Sequence, residues 1–260
     1  LSLLFYKQRF SEFRQLKKKE FVKAFYDNSY RDYDFTDYGY PHGRKPNRHY
    51  LGDDIIELYS TGPRFLSVLM IEKILSALHV SSVCECGSGT GQHLVFLASR
   101  NKDTNFVGLD YSKFAIETAN NALKRQKLNL HLPDVLEPLN SRELDEISHR
   151  LSFTCCSADN IELPDKSIDL LFTFAALEQM WEIREEVFAE IRRVTKSYVI
   201  FYEPFLDDND FYGRLFLRCG NYFRHYQSDI EQYGFKVIKS FNMFPTKPTF
   251  NYSMVVAKVL

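Results

Sequence analysis

The chain is predicted to be an α/β protein built on an open, doubly wound sheet, and three observations carry the prediction. Val83, Cys84, Glu85 and Cys86 form a short buried run, Gly87, Gly89 and Gly91 follow at alternate positions, and residues 94–98 then open an apolar helical pattern. A second apolar run, 106–109, ends on Asp110. A third strand, 168–173, follows the turn Leu163-Pro164-Asp165-Lys166-Ser167.

The first of these stretches reads as strand, tight turn and helix start. Glycines suit such a turn because they accept positive φ and let a ligand approach the backbone, while the free N–H groups at the helix start attract polar or anionic groups. A nucleotide-like cofactor is therefore expected. The dinucleotide arrangement needs glycines at the first, third and sixth positions, whereas here the third glycine comes fifth and Gln92 is sixth. NAD and FAD are accordingly disfavoured. Asp110 lies about 20 residues beyond the glycines, the spacing at which a carboxylate reaches ribose hydroxyls. Tyr111 is placed to cover one adenine face, and Ser112 reads as the cap of a helix that continues to residue 122. Residues 153–160 form a further strand running into a polar turn at Asp159 and Asn160.

Glu85 with Gly87-Ser88-Gly89-Thr90-Gly91, then Asp110 with Tyr111, then Asp159-Asn160, then the turn before residue 168, resemble in order the motifs of the class I S-adenosylmethionine-dependent methyltransferases. The resemblance spans about residues 61–259. It implies a Rossmann-like, seven-stranded sheet whose last strand is antiparallel, and S-adenosyl-L-methionine as cofactor. It places Glu85, Gly87, Ser88, Gly89, Gly91, Asp110 and Tyr111 on that cofactor, with Asp159 or Asn160 reading the adenine amine. After the 168–173 strand the family often shows an apolar run and Glu-His; here Glu178 is followed by Gln179. Glu178 is one catalytic candidate. Glu203, at the end of the next strand and so expected to face the ligand crevice, is the other.

The amino-terminal part carries a different pattern. Residues 1–26 read as a basic amphipathic helix, available to a partner or an anionic surface. Residues 26–60 are rich in tyrosine, including Tyr26, Tyr30, Tyr33, Tyr38, Tyr40 and Tyr50, and have no sustained periodicity, so a loop-rich lid over the site is expected. A helix starting near Thr61-Gly62-Pro63 brings Arg64 forward as a candidate for the cofactor carboxylate. Two domains follow: 1–60 as helix and lid, 61–260 as the cofactor-binding domain. Farther on, 123–150 is polar with a helix from Ser141 to residue 151, residues 184–195 form an amphipathic helix, and 211–224 form an aromatic and basic one. Two closing strands follow, near 234–238 and 251–259.

Composition bounds the function without naming it. With 260 residues, 45% of them hydrophobic, the chain can build one substantial core plus a lid. A formal net charge of -1 gives no field to recruit nucleic acid. Five cysteines, an odd number lying mostly on expected strands, suit reduced thiols in the cytoplasm. Cys84 and Cys86 share one side of a strand without a second pair at zinc-like spacing, so no metal is expected. No run approaches the ~18 apolar residues of a membrane span. Leu1 is not a Met, which suggests an excised domain or a trimmed product. The expected activity is methyl transfer to a small-molecule acceptor at oxygen or nitrogen. The alternatives are a protein-directed methyltransferase and a non-catalytic subunit that retains the fold.

Overall fold

The computed structural model describes residues 19–31, 47–51, 54–58, 61–128, 138–219, 222–243 and 251–260. The amino-terminal elements are α1 (Lys19–Arg31), an antiparallel hairpin of β1 (Asn47–Leu51) and β2 (Asp54–Leu58), and α2 (Thr61–Leu78). The core then alternates strand and helix: β3 (Ser82–Cys86), α3 (Gln92–Arg100), β4 (Asn105–Asp110) and α4 (Lys113–Ala122). A two-residue pairing of β5 (Lys127–Leu128) with β6 (Leu139–Asn140) leads into α5 (Ser141–Ser148) and β7 (Leu151–Cys155). The chain continues through β8 (Ile168–Phe174), α6 (Arg184–Val194), β9 (Thr195–Glu203), α7 (Phe211–Cys219), β10 (Phe235–Met243) and β11 (Tyr252–Val259).

Seven strands form one sheet in the order β10-β11-β9-β8-β3-β4-β7. β3 pairs in parallel with β4 and β8, with Cys84 opposite Val107 on one side and Leu171 on the other. β11 runs antiparallel to both of its neighbours, β9 and β10, as the family resemblance implies. The reversal of strand order at β3 opens a crevice at the carboxyl ends of β3 and β8, where ligands of open α/β sheets bind.

Because successive side chains of a strand point to opposite faces, the sheet buries two separate cores. Phe96, Phe106 and Phe172 fill the face covered by α2, α3, α4 and α5. Phe188, Phe201 and Phe235 fill the other, against α6. Each is below 2% exposed, a burial contributing about 1.5–3 kcal/mol per side chain. Cys84 and Cys86 lie together in the second core, as their spacing on one strand predicts. Local chemistry sets the helix starts: Ser112 Oγ accepts from the Ala115 N–H at 3.3 Å, and Asn140 with Glu143 forms a capping box on α5.

Several boundaries differ from the sequence reading. α1 does not stop near residue 26 but runs to Arg31. Val22, Tyr26 and Tyr30 form one i, i+4, i+8 row, and the change in composition at residue 26 hides that continuity. The segment read as loops contains the β1–β2 hairpin. α5 ends at Ser148, so Leu151 opens β7 instead of closing a helix, and α7 ends at Cys219. The basic stretch before Lys19, the tyrosines at 33, 38 and 40 and the stretch 129–137 lie outside the described residues. Among the described residues no helix is long and apolar enough to cross a membrane.

Candidate functional site

A cleft of about 280 Å³ lies over the glycine turn, close to the ~300 Å³ at which small-molecule sites begin. Its floor is Gly87, Ser88 and Gly89, and one wall is Asp110, Tyr111 and Ser112. The opposite wall is Phe174, Ala175 and Ala176 at the end of β8, and α1 forms a roof through Val22, Tyr26 and Tyr30.

The turn is tied to β4 by backbone bonds. The N–H groups of Gly87 and Ser88 both donate to Leu109 O, at 2.8 and 2.9 Å. The Gly89 N–H donates to Asp110 Oδ2 at 2.7 Å, and the Ser112 N–H to Oδ1 at 2.8 Å. Asp110 is thereby fixed in orientation with acceptor capacity left on both oxygens. Burial pushes its carboxyl up to about 6 despite those two donors, with Glu85 and Asp27 adding repulsion. Gly89, at φ +52°, faces the end of the Tyr30 side chain, whose hydroxyl and Cζ lie 3.0 and 3.7 Å from the space a Cβ would occupy, so its backbone meets the cleft directly beneath that roof residue. Gly91 serves packing instead, since a Cβ there would come within 2.3 Å of the Phe153 ring, and it is not on the cleft wall.

Behind the floor, Glu85 is wholly buried, and its Oε1 meets His93 Nδ1 at 2.7 Å. Burial raises the Glu85 carboxyl, while His93 and Arg64 act against that rise. Glu85 Oε2 and the cleft-lining Ser88 Oγ are both buried without a hydrogen-bond partner among the described residues. Unpartnered buried acceptors are costly, and two beside one cleft fit a ligand that brings donors. The Gly89 backbone, the poised Asp110 and these two groups fit S-adenosylmethionine.

The roof is latched by polar contacts. Ser112 Oγ donates to Asp27 Oδ1 at 2.6 Å, and Lys23 Nζ donates to Asp27 Oδ2 at 3.1 Å. Lys23 also lies 5.5 Å from the Tyr111 ring centroid, and Arg31 lies 5.4 Å from that of Phe114. Tyr26 stacks on Tyr30 with centroids 5.8 Å apart, and its hydroxyl is pushed upward by burial and by Glu178.

Neither catalytic candidate is on the wall. Glu203 Oε1 accepts from the N–H groups of Ala176 and Leu177, each at 3.0 Å, and its Oε2 accepts from that of Glu178 at 3.3 Å. Burial first, and Glu178 second, push the Glu203 carboxyl up to about 8. Its geometry is that of a clamp on the turn after β8. Glu178 accepts from the Tyr252 hydroxyl and from the Gln179 side-chain amide, both at 2.9 Å, and Gln179 itself lines the cleft. Asp159 and Asn160 are likewise off the wall, which at that corner is Cys156, Ser157 and Ala158. Tyr111 and Arg64 do line it. His93 and Asp27 were missed by the sequence reading. Each pairs across elements, and no local spacing marks such a pair.

Residues 84–202 match the family model described as a methyltransferase domain. The fold is similar to a magnesium protoporphyrin IX methyltransferase of Synechocystis PCC 6803 solved with bound SAH (12% identity, 94% of this chain and all of that one covered, TM-score 0.64). It is also similar to the cyclase SpnF (16% identity, 92% and 94% covered, TM-score 0.59). A third likeness is to the methyltransferase domain of a bacterial CtHen1 (15% identity, 76% and 100% covered, TM-score 0.54). Among curated proteins none matches the chain significantly.

Proposed function

We propose that the chain, whose residues 84–202 match a methyltransferase-domain model, uses S-adenosylmethionine to methylate a small-molecule acceptor at oxygen or nitrogen. The observation that carries the reading is the roof: α1 is latched over the cleft by the Asp27–Ser112 bond, and a small cleft covered by a helix suits a compact acceptor better than a macromolecular one. The division into a lid of residues 1–60 and a core of 61–260 is part of the same proposal. All five cysteines are free, in keeping with a reducing compartment such as the cytoplasm.

When bound, the cofactor supplies a methyl group on a positively charged sulfonium, and transfer in line with the C–S bond discharges that charge. The residues chiefly align the two reactants, and positioning of this kind contributes about 7–11 kcal/mol to a bimolecular step. Asp110 holds ribose hydroxyls, Tyr111 covers the adenine, and the backbone at Gly89 lets the ligand lie close. On the acceptor side Gln179 presents its amide to the cleft, Glu178 orients that amide, and Glu203 fixes the turn that carries both. Tyr26 and Tyr30 exclude water from above.

Incubating the protein with methyl-labelled cofactor and fractionated cell extract, with mass-spectrometric detection, tests the reading. Label in a small molecule supports it, whereas label in protein alone would replace it with the protein-directed alternative. One further reading is a subunit that keeps the fold and its cofactor site without transferring methyl. Thermal stabilisation by S-adenosylmethionine with no label transferred to any fraction would select it.

A further inference from the structure

Helix α7 turns an apolar side outward that its own anchors keep from folding in. Phe211, Tyr212, Leu215 and Phe216 are 73, 70, 48 and 37% exposed, and at about 100° per residue they share one side of the helix. Gly213 and Leu217 on the opposite side are buried. Asp210 Oδ1 accepts from the Gly213 N–H at 2.8 Å, and Arg214 Nε donates to Leu206 O at 2.9 Å and to Asn209 O at 2.7 Å. Those bonds fix the rotation of the helix, so its aromatic side stays toward solvent.

At ~200 Å² per large side chain, the exposed parts of these four amount to roughly 450 Å², a contiguous apolar patch of the size that marks an interaction site. A second copy of the chain would need about 800 Å² on each partner for a stable interface, well beyond this face. A lipid surface needs only one apolar, aromatic helix side with basic residues at its edge. α7 has that composition. It contains no acidic residue, and the exposed Arg218 stands at the rim of the apolar side, where its stem can lie along the patch while its guanidinium reaches headgroups. Tyr212 adds a ring with a polar tip, suited to the same depth. The acids just before the helix are engaged within the fold: Asp207 accepts from the Gln227 N–H, Asp208 from the Gln227 amide and the Ser253 hydroxyl, and Asp210 from Gly213. The patch also adjoins the roof. Phe216 stacks on Tyr222 with centroids 5.4 Å apart, Tyr26 of α1, raised chiefly by burial, also feels Tyr222, and the outward Phe21 and Phe25 of α1 are more than half exposed.

We propose that α7 docks the protein on a lipid bilayer surface, with the side formed by Phe211, Tyr212, Leu215 and Phe216 lying among the headgroups and Arg218 meeting lipid phosphates. Docked in this way, the helix brings the roof and the mouth of the cleft to the lipid. The contact is apolar in origin, unlike any attraction of the basic amino-terminal stretch, and it is measured without reference to methyl transfer.

Co-sedimentation of the full chain with vesicles of phosphatidylcholine mixed equally with phosphatidylglycerol tests the proposal. The wild-type protein should be carried down, and its binding should fall by no more than about threefold in ~0.5 M salt, because apolar insertion is not screened. Phe211→Ser combined with Leu215→Ser should weaken vesicle binding by about tenfold or more while the thermal midpoint stays put, since both side chains are exposed and off the cleft wall. Arg218→Gln should weaken it by about fivefold. Phe211→Trp should report insertion independently, through a blue shift of its emission when vesicles are added. Wild-type protein that stays in the supernatant, or a double variant that binds like wild type, would overturn the docking. Binding that ~0.5 M salt abolishes and the double variant retains would assign the contact to the basic amino-terminal stretch instead. Dimerisation in sedimentation velocity that the double variant abolishes, with no vesicle binding, would give the face to a second copy of the chain.

Discussion

Ser112 donates its hydroxyl to Asp27 across 85 residues of chain, at 2.6 Å, and so joins the roof helix to the residue that caps α4. The same junction holds Asp110, whose Oδ1 accepts from the Ser112 N–H. The roof and Asp110 are therefore joined through one residue. Whatever loosens α1 is expected to be felt at Asp110.

Asp27→Ala removes the acceptor for both Ser112 and Lys23. With Asp27 partly exposed, the loss of global stability should be about 1 kcal/mol or less. The larger effect should be kinetic: dissociation of S-adenosylhomocysteine, followed by stopped-flow fluorescence, should accelerate about five- to tenfold, because the roof opens more often. An unchanged off-rate would show that α1 does not gate the cleft.

The Asp110 carboxyl, raised from 3.8 to about 6 chiefly by burial, sets a pH dependence with two opposite signs. In the ligand-free protein the folded state holds the proton more tightly than the unfolded chain. The stabilisation is present below about pH 4 and is lost as pH rises through about 6. If Asp110 holds the ribose as proposed, cofactor binding is expected to use the ionised form and so to weaken as pH falls through about 6. Thermal melts with and without S-adenosylhomocysteine should show a ligand-induced shift at about pH 7.5 that shrinks markedly by about pH 5. Asp110→Asn should bind about 10- to 100-fold more weakly and lose that pH dependence.

Gly89→Val should abolish cofactor binding. The residue sits at φ +52°, a region β-branched side chains avoid, and its side chain would enter the gap below the Tyr30 hydroxyl. Calorimetry should register no heat of binding, while far-ultraviolet circular dichroism should stay close to wild type. Retained binding would place the cofactor elsewhere.

Glu203→Ala should act on the fold before it acts on the ligand. The truncation leaves the N–H groups of Ala176, Leu177 and Glu178 without their acceptor in a buried turn. A loss of about 2–4 kcal/mol in urea unfolding is expected. Affinity for S-adenosylhomocysteine should change by no more than about threefold. A large loss of affinity with little loss of stability would instead mark Glu203 as a residue that touches ligand.

The glycine turn and Asp110 were legible in the sequence because turn chemistry is local: alternating glycines after an apolar run, then an acid at the end of the next. The antiparallel closing strand was legible only through the family resemblance. Glu203 was misjudged for a physical reason. A strand-end carboxylate points to the crevice by default, but here three backbone N–H groups of the neighbouring turn capture it first. The turn after β7 shows a similar limit, since Asp159 and Asn160 are its polar residues while the cleft there is lined by Cys156, Ser157 and Ala158. The Glu85–His93 pair spans a strand and a helix on two sides of a turn, so eight residues of separation carry no periodic signal.

Gly87 and Gly91 are each backed by a packed side chain, Ala176 against the first and Phe153 against the second. Those neighbours belong to the loop after β8 and to β7, so the shape of the turn is settled when the sheet assembles. Little conformational entropy remains to be lost there when a ligand arrives. The roof is different in kind, held by a few polar bonds at a helix surface. Cradle and roof should therefore work on separate timescales, a preorganised receptor under a slower door, and ligand exchange should follow the opening rate of α1 more closely than the fit of the nucleoside.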